Sequence, residues 1–454
     1  MTTKKNVIIF ILPLIVCCAF ILCAALGMLI SPESFHKFFS ATRLYREIPP
    51  VGPDKSYYWD VEAYARMVVN PSCTAFYPLW PFLVRELFSP KTVEQAAYYF
   101  SAISSILFII CNFALFWVFK ICLKNSYLVF LLVLAFTLNP MAIFRVNGYT
   151  ESIFTAFSIL FIWICLPQQR IKNNLQIVLL FLITFLMATT RPILLQIFFA
   201  TTATLGTMVI WEMLSSKVYS WENLLRYSRK YNHEIKISIT MWVSTILGYS
   251  IYGMFCLQTR GDFFAPFQDQ KHWGKKLGLH LDLLFLPKSL LFDLLGLYLP
   301  LTVLLIAIIF VYSQVTQREI SIFKPKSIWW NILFLYPPLL IVVYIYFQIK
   351  KKSLFKVNDL IICKTTNLLA GNYIFWFSLY FTFIHSVIIF FTQDRLYSLA
   401  RYVFAVPFFF LAVGYLYRCI PGKAKYHTLL WLTAVSAIAL VEQWVRFGQD
   451  KWLG

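Results

Sequence analysis

Carboxylates beside aromatic rings concentrate in one N-terminal stretch, Asp54-Lys-Ser-Tyr-Tyr-Trp59-Asp60-Val-Glu62-Ala-Tyr64, followed by Ala75-Phe-Tyr77-Pro78-Leu-Trp80-Pro81-Phe82. A short helix starting near Asp60 is expected to lie along one face of the molecule. Asp60 is then either its N-cap, a position aspartate favours, or a general base. In the second case apolar surroundings would raise its proton affinity into a useful range, and such a base contributes about 10²–10⁴-fold. Pro78 and Pro81 break regular helix and would aim Tyr77 and Trp80; the plainer alternative for this segment is an aromatic anchor at a membrane interface.

Four other places carry polar chemistry. In Asn139-Pro140 and Asn147-Gly148-Tyr149-Thr150-Glu151, Gly148 permits a tight turn and Glu151 opens a new apolar run. Glu151 suits either a helix N-terminus, where negative charge is favoured, or a substrate contact. Arg191, between Thr190 and Pro192, suits snorkelling or bidentate binding of a phosphate. The segment 258–276 mixes Asp262, Gln270 and Trp273 with basic residues. Amides can meet sugar hydroxyls, and an indole face can cover apolar sugar C–H groups; a solvated loop with an interfacial tryptophan is the alternative. Asp394, Arg395, Ser398, Arg401 and Tyr402 open a late apolar run, where Arg401 needs a partner because a charge inside a bilayer costs a few kcal/mol. No HExxH, paired-cysteine set, DxD, Walker loop or GxGxxG occurs, so nucleotide chemistry on the inside is not supported.

The elements that must position these residues are set by composition. Of the 454 residues, 60% are apolar and 13% charged, against roughly half and a quarter in soluble domains. A soluble enzyme, a disordered chain and a secreted disulfide scaffold are excluded. Nearly all ten cysteines lie in apolar runs and read as small hydrophobes; neither a disulfide nor a cysteine metal site is expected. The run 6–30 is too long for a signal peptide and reads as a first span with its N-terminus inside. Further spans are expected near 97–119, 127–144, 150–166, 175–190, 192–214, 237–257, 289–313, 372–391, 399–418 and 427–445. The net charge of +20 is read as basic loops held on the cytoplasmic side, not as nucleic-acid binding. By parity, the loops holding Lys120 and Lys124, Arg170 and Lys172, and Lys217 to Lys236 are inside. If 328–349 also crossed, the cluster Lys350 to Lys364 would lie outside; re-entry with a bend at Pro337-Pro338 is preferred. The expected fold is an all-α polytopic membrane protein of about 11–13 spans. It forms one integral domain over 1–454, with extracytoplasmic loops at 31–96 and 258–288 carrying short interfacial helices.

Taken together, Trp59-Asp60 with Tyr64, Phe76-Tyr77-Pro78-x-x-Pro81 and Asn139-Pro140…Gly148-Tyr149-Thr150-Glu151 resemble the PIG-V, or GPI mannosyltransferase II, family. Loop 261–275, Ser398-x-x-Arg401-Tyr402 and Phe447…Trp452 are similar to its bacterial branch. The resemblance covers about residues 37–452. Departures are Arg191-Pro192, where the animal enzymes have Arg-Ser-Asn, and Val-Glu-Ala-Tyr after Trp-Asp. The resemblance implies a GT-C-type glycosyltransferase bundle. It implies inverting transfer of mannose from a polyprenyl- or dolichyl-phosphate donor to a lipid-linked or glycolipid acceptor, on the extracytoplasmic or luminal side, with no cofactor or metal. By carry-over Asp60 is the base. Arg191, Arg401 and Arg395 face the donor phosphate. Trp59, Glu62, Tyr77, Tyr149, Glu151, Asp262, Gln270 and Trp273 contact sugar or acceptor. A bacterial plasma membrane is favoured over the endoplasmic reticulum. The competing reading is a transporter or flippase of lipid-linked sugar, although such proteins place polar groups mid-membrane on broken helices with inverted repeats, and no repeat is visible.

Overall fold

A computed structural model describes residues 2–30, 59–166, 172–217, 226–227, 229–273, 278–285, 291–316, 367–392, 396, 398–419, 423–449, 451 and 453. Among them every regular element is a helix. In chain order these are α1 Thr2–Ile30, α2 Asp60–Val69, α3 Leu79–Phe88, α4 Val93–Leu123, α5 Ser126–Thr137, α6 Glu151–Ile164, α7 Asn173–Thr190, α8 Leu194–Ser216, α9 Asn232–Arg260, α10 Leu291–Thr316, α11 Tyr373–Thr392, α12 Leu399–Phe404, α13 Phe408–Cys419 and α14 Ala424–Gly448. Short turns of helix at Ala265–Gln268, Asp269–Trp273, Asp282–Phe285 and Asn367–Ala370, and a 3₁₀ segment Pro140–Arg145, complete the described chain.

Eight helices, α1, α4, α7, α8, α9, α10, α11 and α14, are long and apolar enough to cross a membrane, which is the architecture of an integral, multi-pass protein. Three expected spans are not continuous. The run 127–144 is a 12-residue helix, α5, followed by the 3₁₀ turn. The run 150–166 is the 14-residue α6, and 399–418 is split into α12 and α13. At 1.5 Å per residue, 12 to 14 residues give about 18–21 Å, short of the roughly 30 Å hydrocarbon core. The breaks have local causes. Pro140 has no N–H for the helix, while the Asn139 carboxamide accepts from Met141 N at 2.9 Å and donates to the Phe136 and Phe404 carbonyls. Buried Arg145 also donates to Phe136 O at 2.8 Å, with its guanidinium 3.8 Å over the Phe136 ring, a cation at a helix C-terminus. Pro407 separates α12 from α13. The segment expected to re-enter, 328–349, lies outside the described residues.

Contacts between turns assign the helix ends to two faces. On one face Asn125 caps α5 at Leu128 N and donates to Tyr426 Oη at 2.8 Å. There also Arg418 reaches Cys122 O, Gln176 reaches Ile164 O, and Lys230 pairs with Glu212. Lys120, Lys124, Lys172, Lys217 and Lys236 belong to the same end of the bundle, matching the side expected to be cytoplasmic. The opposite face carries α2, α3, the α7–α8 corner, the end of α9 and α12. Cysteines introduced at Ser89 and Lys124, which bound α3 and α4, are expected to react with a membrane-impermeant thiol reagent from opposite sides of sealed vesicles. Labelling from one side would refute the two-face assignment.

Candidate active site

Four charged side chains from four different elements meet just below the non-basic face. Arg401, on α12, donates from Nη1 to Asp60 Oδ2 at 2.6 Å and from Nη2 to Glu151 Oε2 at 3.2 Å, with Nε also on Glu151. Arg191 takes the other side of Glu151 and donates from Nε to Thr150 Oγ1 at 3.1 Å. The order is Asp60, Arg401, Glu151, Arg191, acid alternating with base. The site is deeply set: side-chain exposure is 0% for Glu151, 6% for Arg401, 8% for Arg191 and 15% for Asp60. Aromatic faces line it. Arg401 lies 4.6 Å from the Tyr149 ring centroid and 5.0 Å from Phe144, and Arg191 lies 5.2 Å from Phe154 and 5.3 Å from Tyr402. Burial pushes the Tyr64 and Tyr149 phenols above their ordinary range, so both stay neutral and act as hydrogen-bonding and π surfaces.

Local sequence explains the placement. Gly148 adopts φ 86°, where L side chains are strained, and a Cβ there would meet Phe100 Cβ at 3.0 Å. Its carbonyl accepts from Trp80 Nε1 at 2.9 Å, so the turn is fixed to α3 while Glu151 opens α6. Asp60 opens α2, as expected, but it is not the N-cap. Trp59 holds that position, with φ 36°, and no side chain caps the helix. Nor is Asp60 in purely apolar surroundings, because its carboxylate is occupied by Arg401. The argument that burial alone prepares it as a base therefore does not apply.

The segment 70–78, between α2 and α3, is strapped to the end of α9. Contrary to the sequence expectation, Cys73 and Cys256 form a disulfide, with Cα atoms 5.1 Å apart. Cys256 sits in the last turns of α9, at the non-basic end, where it meets the strap rather than lipid; disulfides persist in oxidising compartments. The Tyr252 hydroxyl accepts from Thr74 N at 3.1 Å and sits 2.8 and 2.7 Å from the Thr74 and Phe76 carbonyls. Arg260 donates to Cys73 O and pairs with Asp269, and Gln270 Nε2 reaches Ala75 O at 3.4 Å. Tyr77 is buried against Tyr252, 5.3 Å between centroids. Beside the strap, between α3, α7 and α9, runs an apolar groove of about 400 Å3. Met67, Phe82, Phe185 and Phe255 line it, with Arg85 and Thr189 among its few polar members.

Of the sequence-derived candidates, Asp60, Tyr149, Glu151, Arg191 and Arg401 come together. Tyr77 and Gln270 instead hold the strap. Glu62 pairs with Arg66 one turn along α2, and Asp262 accepts from Phe264 N at 2.8 Å, so both have local partners. Trp59 precedes α2 and is partly exposed. Arg395 and the Trp273 side chain lie outside the described residues. Thr150 and Tyr402 stood in the sequence motifs without a role of their own, and the structure puts both against Arg191; Phe144 and Phe154 were not anticipated, and only their adjacency to the chosen residues pointed to them. Among the described residues no three His, Cys, Asp or Glu side chains stand together as a metal site would require.

No family model, curated protein or solved structure matches this chain.

Two outcomes are expected. Glu151→Ala leaves two buried guanidiniums with Asp60 alone and should destabilise the protein by about 3–5 kcal/mol, read as a lower thermal midpoint in detergent; an unchanged midpoint would contradict the network. In unreduced, denatured protein, alkylation followed by mass spectrometry should leave Cys73 and Cys256 unmodified until a reductant is added.

Proposed function

We propose that the chain is a glycosyltransferase of the GT-C type, moving a sugar, by resemblance mannose, from a polyprenyl-phosphate carrier to a hydroxyl of a lipid-linked or glycolipid acceptor. The observation that carries this reading is the placement of Arg401, which holds the Asp60 carboxylate with one nitrogen and Glu151 with the others, at one end of a membrane bundle. The apolar groove beside the strap, at the same end of the bundle, supports a hydrocarbon-bearing substrate.

The chemistry follows from charge. A sugar–phosphate diester carries one negative charge, and its leaving phosphate carries two. Arg401 and Arg191 are the cations that would stabilise the charge gained, worth most in a water-poor site. An arriving phosphate competes with Asp60 for Arg401, and Glu151 keeps the guanidinium in place during the exchange. The freed Asp60 carboxylate takes the proton of the acceptor hydroxyl. The hydroxyl oxygen bonds to the anomeric carbon as the bond to phosphate breaks, which inverts that centre. Tyr149 and the other rings supply the faces against which sugar C–H groups pack.

The test is transfer of label from polyprenyl-phosphate mannose to membrane lipid by purified protein. Asp60→Ala should lower turnover by about 10²–10⁴-fold while the protein remains folded. Wild-type turnover in that variant would refute the base. A strict divalent-cation requirement would contradict the role given to the arginines. Label that crosses a bilayer without changing its lipid would turn the reading to a flippase.

A further inference from the structure

Arg401 belongs to α12, a helix of six residues that begins at Ser398 with φ 58° and has no cap from its own side chains. The first N–H groups of any helix lack intrahelical acceptors. Here the acceptor comes from another helix. Asp293, in the first turn of α10, is 2% exposed, and its Oδ1 accepts from Ala400 N at 2.8 Å. Negative charge at a helix N-terminus is stabilised by the aligned peptide dipoles. One turn along α10, Gly296 brings the two backbones together: a Cβ there would lie 2.9 Å from Ala400 N and 3.0 Å from Ala400 Cα. The other end of α12 is held too, by Asn139 Nδ2 on Phe404 O at 3.2 Å and Thr155 Oγ1 on Ala405 O at 2.9 Å.

The residue after Ala400 is Arg401. We infer that Asp293 is a positioning residue, capping α12 from α10 so that the Arg401 guanidinium is held between Asp60 and Glu151. Its role needs an oxygen acceptor at Oδ1 and the close approach that Gly296 allows. It does not need a negative charge, and it touches no substrate. This inference rests on the proposed transfer reaction for its kinetic consequence, but its structural half does not.

Three variants test it, Asp293→Ala, Asp293→Asn and Gly296→Ala, each measured for sugar transfer, thermal midpoint and amide hydrogen exchange of a peptide covering 398–404. Loss of the acceptor, or a methyl group pushing at Ala400, should lower kcat by about 10²-fold, the scale of a 1 Å misplacement. Exchange should accelerate within α12 and not in α2 or α6. Asp293→Asn keeps an acceptor oxygen and should restore both readings to near wild type. Should Gly296→Ala fail to fold, the Ala and Asn pair still decides. Wild-type kcat and exchange in Asp293→Ala would overturn the inference. So would Asn as impaired as Ala, since charge and not capping would then be needed. If the wild-type protein transfers no sugar, accelerated exchange confined to α12 in Asp293→Ala, reversed by Asn, upholds the positioning and puts the failure on the proposed reaction.

Discussion

The site depends on the neutralisation of buried charge. A guanidinium or carboxylate taken out of water costs several kcal/mol after relaxation, and only close opposite charge repays it. Arg401 meets this constraint by standing between Asp60 and Glu151, and Glu151 in turn stands between Arg401 and Arg191. Two acids and two bases from α2, α6, the α7–α8 corner and α12 therefore have to be co-localised, or each is left unpaired. Four elements far apart in the chain, with Asp60 and Arg401 separated by 341 positions, are brought to one point by that requirement.

The short helices provide the room. Because α5, α6, α12 and α13 do not run the full depth of the bundle, their ends open inside it, and helix ends offer free N–H and C=O groups where polar side chains can anchor. Asn139 ends α5 and grips α12, Thr155 of α6 grips the turn after α12, and the Gly148 turn is pinned by Trp80. The strap adds a second, outer layer held by the Cys73–Cys256 bond and the Tyr252 hydroxyl. The ion network is thus set at the same end of the bundle as a fixed strap, with the apolar groove beside the strap. In the proposed reaction the same pairing that stabilises the fold also restrains Asp60 until an anion displaces it, so the base is released only when a phosphate is present.

Much of this was legible in the residues. Long apolar runs, basic turns gathered at one end of the bundle, the helix beginning at Asp60, the Gly148 turn and Glu151 at a helix start all followed from composition and local rules. The failures share a cause. Average hydropathy over 127–144 and 399–418 is high, so the breaks at Asn139-Pro140 and Pro407 were read through. Cys256 looked like a small hydrophobe, because its partner lies 183 residues away and an apolar run does not reveal which turn faces a loop. Asp293 was passed over although a carboxylate inside an apolar run is itself a signal. Arg401 was judged to need a partner, and it has two.

The most direct test of the account is binding of a sugar-free polyprenyl phosphate to the purified protein in detergent, compared between wild type and Arg401→Gln. If the arginines exchange a carboxylate for the phosphate of a lipid carrier, wild type should bind saturably, a polyprenyl alcohol of the same length should compete poorly, and Arg401→Gln should lose at least ten-fold in affinity, about 1.4 kcal/mol. Equal affinity for the phosphate and the alcohol, or an unchanged affinity in the variant, would contradict the claim that this ion network is the place where a lipid phosphate is held.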